Sequence, residues 1–206
     1  MKSTSHINQL GYDAMALAYE THRTHLGTSR YLHEFIKRLP KKSLVLDVGC
    51  GSGRLIDESL IKAGHLVTGI DISSKQIDLA RKNCPTGEFI MADMETLQPE
   101  QFAVEGVVCN YALFHVPRES HQRMLLILAS FLPIGGQLLV TMGDCDFEGM
   151  YELCGEQVWS SHYGPAKNRA MVEAAGFEIE IDEMDTSGGE RHQVILAKKL
   201  NTKPIY

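Results

Sequence analysis

Hydrophobic positions follow two alternating patterns along the middle of the chain. Short apolar runs, of the kind that form buried strands, are separated by segments in which apolar residues recur every three or four positions, as on one face of a helix. The predicted strands are Leu44–Val48, Leu66–Ile70, Glu88–Met91, Gly106–Asn110 and Gln137–Met142, and the predicted helices are Leu55–Ala63, Lys75–Asn83 and Ser120–Phe131. This alternation implies right-handed crossovers and a parallel sheet.

Both ends of the chain depart from the alternation. Helical spacing before the first strand predicts helices over Tyr12–Arg23 and Ser29–Leu39, whereas residues 143–165 show no periodic apolar face and are predicted to be rich in loops. The elements predicted after this insert are a helix over Ala166–Ala175 and strands over Phe177–Glu183 and His192–Lys198, joined by a turn at Ser187-Gly188-Gly189. The final strand is therefore antiparallel, and the expected fold class is α/β, with a doubly wound, seven-stranded, mostly parallel sheet.

Composition limits the class of protein. The 206 residues, 44% of them hydrophobic, suffice for one buried core, so we expect a single domain over residues 1–206. No stretch approaches the roughly 18 consecutive apolar residues that cross a bilayer, which predicts a cytoplasmic protein without a membrane partner. A formal net charge of −6 argues against nucleic acid as a partner, because phosphate binding requires clustered lysines and arginines.

A glycine-rich turn follows the first predicted strand. Gly49, Gly51 and Gly53 have the spacing Gly-x-Gly-x-Gly and lead directly into a helix, so the backbone can approach a ligand closely. A dinucleotide site would instead have Gly-x-Gly-x-x-Gly and would bind a pyrophosphate. Asp47, just before the turn, would repel a pyrophosphate but would attract an ammonium group. The pattern favours a cofactor that carries an amino acid over NAD.

Two further acids end the next two strands. Asp71 follows Asp47 by 24 residues (71 − 47) and is placed to accept hydrogen bonds from a ribose diol. Asp93 is placed to meet the exocyclic amine of an adenine, with Met94 beside the ring. The alternative is that each acid only caps the element that follows it. Because carboxyl ends of parallel strands meet at one edge, the three acids together indicate an adenosine-containing ligand.

These motifs resemble those of the class I S-adenosylmethionine-dependent methyltransferases. Asp47–Gly53, Gly69–Ile72 and Ala92–Met94 match the cofactor motifs of the family in order and spacing, and the resemblance runs from about residue 12 to about residue 198. It implies a Rossmann-like fold, with S-adenosyl-L-methionine as cofactor and S-adenosyl-L-homocysteine as product. The predicted cofactor-binding residues are Tyr19, Asp47, Gly49, Cys50, Gly51, Gly53, Asp71, Ile72, Asp93, Met94, Asn110 and Tyr111.

The resemblance also implies a lid over the site. Tyr12 and Tyr19 resemble the N-terminal aromatic lid of the family, so we expect helices within residues 1–40 to form a lid, with residues 143–165 over the substrate site. The alternative for the two tyrosines is an amphipathic helix that buries its aromatic side.

The segment after the fourth strand limits which class of molecule can accept the methyl group. Enzymes of this family that methylate nucleic-acid bases carry an Asn/Asp-Pro-Pro-aromatic run here, and Asn110-Tyr111-Ala112-Leu113 has neither proline. The metal-dependent members need a carboxylate pair near this point. Asn110 has no acid beside it, so we expect no metal in catalysis. We therefore predict methylation of a small molecule, on oxygen or nitrogen, by in-line displacement.

Candidates for the acceptor site come from three segments. His115 is a candidate general base, although in relatives of this family a histidine here packs below the cofactor. The aromatic cluster of Trp159, His162 and Tyr163 in the insert is either a lid over the substrate or a hydrophobic plug at the edge of the sheet. Arg191 and His192 in the final hairpin either bind a substrate anion or are simply exposed to solvent. The predicted catalytic residues are His115 and His162, and the predicted substrate-binding residues are Tyr12, His115, Trp159, His162, Tyr163, Arg191 and His192.

Two other functions remain open at this point. A non-catalytic protein that binds S-adenosylmethionine and regulates a partner would carry the same motifs. A nicotinamide-dependent dehydrogenase would share the strand, turn and helix, but the glycine spacing and Asp47 disfavour it. The oligomeric state is expected to be a monomer or a homodimer.

Overall fold

A seven-stranded sheet forms the centre of the structure, a computed structural model that describes residues 3–23, 29–187 and 191–200. The strands are β1 (Leu44–Val48), β2 (Leu66–Asp71), β3 (Glu88–Met91), β4 (Gly106–Cys109), β5 (Gln137–Met142), β6 (Phe147–Leu153), β7 (Glu156–His162), β8 (Phe177–Asp185) and β9 (His192–Lys199). The sheet has the order β3-β2-β1-β4-β5-β9-β8, in which β9 runs antiparallel to both of its neighbours. This arrangement confirms the predicted fold class.

Helices cover both faces of the sheet. They are α1 (Thr4–Arg23), α2 (Ser29–Arg38), α3 (Ile56–Lys62), α4 (Ser74–Asn83), α5 (His121–Ser130) and α6 (Pro165–Ala174). Successive strand residues point to opposite faces, so Leu138 joins a core with α5 and α6 while Leu139 joins a second core with α2 and α3. In the described part of the chain, no helix is both long enough and apolar enough to cross a membrane.

The parallel strands place their carboxyl ends at one edge of the sheet. β1 pairs in parallel with β2 and β4, β2 with β3, and β4 with β5. The order of the chain reverses between β1 and β4, which is the point where open sheets of this kind form a crevice. The glycine turn after β1 and the acids after β2 and β3 therefore lie at the same edge.

Helix α1 begins eight residues earlier than its predicted start at Tyr12. Asn8, within this added part, is only 2% exposed, so a polar side chain occupies a buried position of the helix. A pattern that relies on apolar residues misses such a turn. Helix α2 also differs from the predicted lid, because Tyr31, Leu32 and Phe35 are buried in the core under the sheet.

Residues 143–165, predicted to be rich in loops, contain the antiparallel hairpin of β6 and β7. The prediction was wrong because two of the buried residues of β7, Ser160 and Ser161, are polar and hide the alternation of a strand. The predicted antiparallel pairing of β8 with β9 is confirmed. Gly188 and Gly189 of its predicted turn lie outside the described residues.

Candidate functional site

A cleft of about 980 Å³, part of it open to solvent, lies at the carboxyl edge of β1 to β4 under helix α1. Apart from Gly53, every predicted cofactor-binding residue lines it, and so do Tyr12 and His115 from the predicted acceptor site. The lining residues that were not predicted as site residues are Ser5, Asn8, Ser52, Arg54, Ile56, Ile70, Ala92, Glu95, Ala112 and Val116, of which Ser52, Ile70, Ala92 and Ala112 lie within the quoted motifs. Motif patterns therefore marked the floor of the cleft but not all of its walls.

The glycine turn brings backbone to the floor of the cleft. Gly49 has a φ of +81°, and a Cβ on it would lie 2.3 Å from the Cβ of Ala112. The N–H groups of Gly49 and Cys50 both donate to the carbonyl of Ile70, at 2.8 and 3.0 Å. A side chain at position 49 is thus excluded by conformation and by space.

Asp71 ties this turn to the next strand. Its Oδ2 accepts the N–H of Gly51 at 2.9 Å, and its Oδ1 accepts the N–H of Ser73 at 2.8 Å. Burial raises the pKa of Asp71 to about 6, and the two backbone donors act in the opposite direction. Each carboxylate oxygen has a second lone pair, so the same group can accept hydrogen bonds from a ligand.

Asp93 can both cap the element that follows it and bind a ligand, the two roles considered for it. Its Oδ1 accepts the N–H of Glu95 at 2.9 Å and caps the short 3₁₀ turn Met94–Thr96. Its side chain also lines the cleft, next to Met94. Capping leaves lone pairs of the carboxylate available to a ligand amine.

Asn110 lines the cleft with a side chain that one hydrogen bond holds in place. Its Oδ1 accepts the hydroxyl of Thr141 at 2.6 Å, which orients the amide. Its Nδ2 has no hydrogen-bond partner among the described residues, although the side chain is only 7% exposed. A buried donor of this kind suits a ligand acceptor such as a carboxylate.

His115 closes one end of the cleft in a defined tautomer. Its Nδ1 lies 2.9 Å from the carbonyl oxygen of Trp159, which can only accept, so Nδ1 carries the proton. Its Nε2 then accepts the hydroxyl of Tyr12 at 2.7 Å. Burial lowers the pKa of His115 to about 4, so the imidazole is neutral at pH 7.

Asn8 holds helix α1 against this end of the cleft. Its Nδ2 donates to the carbonyl of His115 at 3.2 Å, and its Oδ1 accepts the N–H of Trp159 at 2.8 Å. One buried amide thus joins α1, the turn after β4 and strand β7. No sequence motif marked Asn8, because both of its partners are more than a hundred residues away.

Two acids fasten the rest of α1 over the glycine turn. Asp13 accepts the hydroxyl of Ser73 at 2.6 Å, at the start of α4. Glu20 accepts Nδ2 of Asn83 at 2.7 Å, at the end of the same helix. Helix α1 therefore lies closed across the cleft in this structure.

Two of the other predicted acceptor residues, His162 and His192, contact Phe114 outside the cleft lining. The ring of His192 stacks on Phe114 at 5.5 Å between centroids, and that of His162 lies edge-on at 6.3 Å. Nδ1 of His162 is bound to the carbonyl of Cys145, and Arg191 is paired with Asp144 at 3.5 Å. The predicted residues that do not line the cleft are Gly53, Trp159, His162, Tyr163, Arg191 and His192.

Comparison with known proteins gives a matching family model and curated relatives. A family model described as a methyltransferase domain matches residues 45–136. Trans-aconitate 2-methyltransferase of Escherichia coli is 32% identical over 167 residues, which span 79% of this chain and 63% of that protein. Ubiquinone biosynthesis O-methyltransferase of Coxiella burnetii is 33% identical over 118 residues, which span 55% of this chain and 49% of that protein. The chain thus covers less than two thirds of the length of these curated relatives.

A solved structure shares the whole fold. Magnesium protoporphyrin IX methyltransferase from Synechocystis PCC 6803, with bound S-adenosylhomocysteine, superimposes with a TM-score of 0.75. The match covers 96% of this chain and 100% of that one, at 20% sequence identity. At this identity the similarity establishes the fold alone and does not establish the ligand or the substrate of this chain.

Proposed function

Because this chain belongs to the class I S-adenosylmethionine-dependent methyltransferases, we propose that it transfers the methyl group of S-adenosylmethionine to a small-molecule acceptor. The observation that carries the proposal is the convergence of Asp47, Asp71, Asp93 and Asn110 on one cleft beside a glycine turn. Two curated relatives, a trans-aconitate 2-methyltransferase and a ubiquinone biosynthesis O-methyltransferase, carry names that refer to small molecules, which supports an acceptor of this class.

The chemistry of the cleft fits this cofactor residue by residue. Asp71 would accept the ribose hydroxyls with the lone pairs that its backbone donors leave available. Asn110 would donate to the carboxylate of the methionine portion, and Asp47 would attract its ammonium group. Asp93 would accept a hydrogen bond from the adenine amine, with Met94 beside the ring.

When bound, S-adenosylmethionine supplies a methyl group that its sulfonium already activates. The protein therefore has mainly to align the acceptor and exclude water, and alignment of this kind can lower a barrier by roughly 7–11 kcal/mol. Asn8, Tyr12 and His115 would exclude water at the end of the cleft that α1 covers.

The acceptor atom in this proposal is an oxygen or a nitrogen. Nε2 of His115 is the unprotonated ring nitrogen and can accept a hydrogen bond from an O–H or N–H group in place of Tyr12. A histidine whose pKa is about 4 is a weak base, so it would orient the acceptor more than it would ionise it.

Isothermal titration of the purified protein with S-adenosylmethionine and with S-adenosylhomocysteine tests the cofactor. We expect both to bind, and we expect Asp71→Ala to weaken binding at least tenfold while Asp78→Ala, an exposed acid on α4, does not. No binding by the unchanged protein would refute the proposal.

A panel of phenols, carboxylic acids and amines, assayed for release of S-adenosylhomocysteine, then tests turnover. Methylation of any one class would identify the acceptor atom. Tight binding with no turnover on the whole panel would favour a non-catalytic regulatory protein.

A further inference from the structure

Two carboxyl groups meet beneath the glycine turn. Asp47, the last residue but one of β1, is 1% exposed, and Asp57 in the first turn of α3 is fully buried. The side chain of Asp57 is a close neighbour of that of Asp47, and neither of its carboxyl oxygens accepts a hydrogen bond from a described residue. Asp57 also lies directly under the turn, since a Cβ on Gly53 would be 3.4 Å from its Oδ2.

A hydrogen bond between two carboxyl groups requires a proton on one of them. Ionised carboxylates only accept, and no N–H or hydroxyl group of the described residues donates to either oxygen of Asp57. No lysine, arginine or histidine in the described ranges forms an ion pair with Asp57. Two neighbouring buried carboxylates repel each other strongly, which favours a proton held by the pair. Burial, and then the neighbouring Asp47, raise the pKa of Asp57 accordingly.

The other groups around the pair do not compete for this proton. Burial raises the pKa of the thiols of Cys50, Cys84 and Cys109, so all three are uncharged at pH 7. The titratable and charged groups that face the pair are Glu58 on the same helix, Arg54 and Cys50 in the glycine turn, Cys84 after α4, Cys109 on β4 and Asp71 on β2.

Asp47 lines the cleft and Asp57 does not, so a ligand would act on the pair through Asp47. Building on the proposed function, we propose that Asp57 is a positioning residue that shares a proton with Asp47, and that the pair releases this proton to solvent when a ligand ammonium group binds beside Asp47. The ammonium supplies the positive charge that the proton supplied before, so the total charge of the site changes little. Asp57 thereby couples cofactor affinity to pH, with tighter binding as the pH rises through the range in which the free pair is protonated.

The experiment counts protons by isothermal titration at pH 7 in two buffers with different ionisation enthalpies. The probes are S-adenosylhomocysteine and 5′-methylthioadenosine, an adenosine thioether without the amino-acid portion. Any proton linked to the ribose through Asp71 contributes to both ligands and cancels in the comparison. We expect S-adenosylhomocysteine to release more protons than methylthioadenosine, with a difference of up to about one per site.

Two variants assign the difference to the pair. Asp57→Asn keeps a hydrogen-bond donor for Asp47 but has no titratable proton, so we expect the two ligands to release equal numbers of protons. Asp78→Asn makes the same acid-to-amide change at an exposed position of α4 and should retain the difference. Equal release by the two ligands in the unchanged protein would overturn the inference, even if Asp57→Asn fails to fold. Binding of neither ligand would instead refute the proposed function on which the inference depends.

Discussion

The hydroxyl of Tyr12 donates a hydrogen bond of 2.7 Å to Nε2 of His115, a residue 103 positions further along the chain. The carbonyl of Trp159 holds the proton of His115 on Nδ1, so the tautomer is determined by the backbone of β7. Helix α1, the turn after β4 and the hairpin of β6 and β7 thus meet at one imidazole. An acceptor that reaches Nε2 must take the place of the Tyr12 hydroxyl.

Substitution of His115 or of Tyr12 should show whether His115 orients the methyl acceptor or removes a proton from it. If His115 only orients the acceptor, we expect His115→Gln to lower kcat by about 10-fold to 100-fold, below the 10²- to 10⁴-fold typical of a general base. Tyr12→Phe removes the competing hydroxyl and should change KM more than kcat. The measurement is steady-state kinetics with an acceptor found in the panel.

His121→Gln is the matched control for these kinetics. His121 is buried, lies outside the cleft and donates to the carbonyl of Val116, so its substitution should leave kcat and KM near their original values. Normal kcat in both His115→Gln and Tyr12→Phe would contradict any role of this contact in turnover.

Two glycines with similar backbone angles should respond very differently to alanine. Gly49 has a φ of +81° and Gly64 a φ of +91°, so each substitution costs about 1–2 kcal/mol in backbone strain. A Cβ at position 64 meets nothing within 4 Å, whereas one at position 49 collides with Ala112 at 2.3 Å. We expect Gly49→Ala to lose about 1–3 kcal/mol more than Gly64→Ala, and to lose cofactor binding as well. Urea unfolding measures the loss of stability, and isothermal titration measures the loss of cofactor binding. Equal losses of stability in the two variants would show that the glycine turn can shift to make room for the Cβ.

The sequence patterns predicted the centre of the sheet well because the strands there, such as β4 and β5, are buried on both faces. Val45 and Leu46 point to different cores, yet both are apolar, so the run is visible without knowledge of the fold. The acids Asp71 and Asp93 were found for a related reason. Asp71 comes at the end of one strand and Asp93 two residues after the next, and the topology of parallel strands brings these ends together.

Several residues that the patterns missed are polar and are buried by tertiary contacts. Asn8 is buried by His115 and Trp159, and Asp57 by the side chain of Asp47. Nothing in the local sequence distinguishes these residues from exposed helix positions. Ser160 hid strand β7 in the same way, since its hydroxyl donates to the carbonyl of Phe114. Such positions are determined by tertiary contacts, which periodicity does not record.

The amide of Asn8 offers a test of the closed position of α1. Asn8→Asp keeps the acceptor for the N–H of Trp159 but places a second acceptor against the carbonyl of His115. We expect a loss of about 2 kcal/mol or more in stability, together with weaker cofactor binding, because one oxygen of the buried carboxylate then faces a carbonyl and has no donor. Thermal unfolding and titration give the two quantities. Gln9→Glu makes the same change one residue along the helix and should have little effect, so equal losses would assign the effect to helix α1 in general.

The stability of the fold should depend on pH through His121. Burial lowers the pKa of His121 to about 4, from an ordinary value near 6.5. As the pH falls from 6.5 to 4, His121 binds a proton in the unfolded chain but not in the folded protein. Its contribution to the free energy of unfolding is therefore present above pH 6.5 and is lost toward pH 4. The raised pKa of Asp71 acts in the opposite direction between pH 4 and 6, and the measurement must therefore compare variants. We expect His121→Gln to reduce the loss of unfolding free energy between pH 7 and pH 4.5 by on the order of 2 kcal/mol, measured by urea titration. His33→Gln, at an exposed position of α2, should leave that loss unchanged, and an unchanged loss in His121→Gln as well would mean that the folded protein accommodates the charged imidazole.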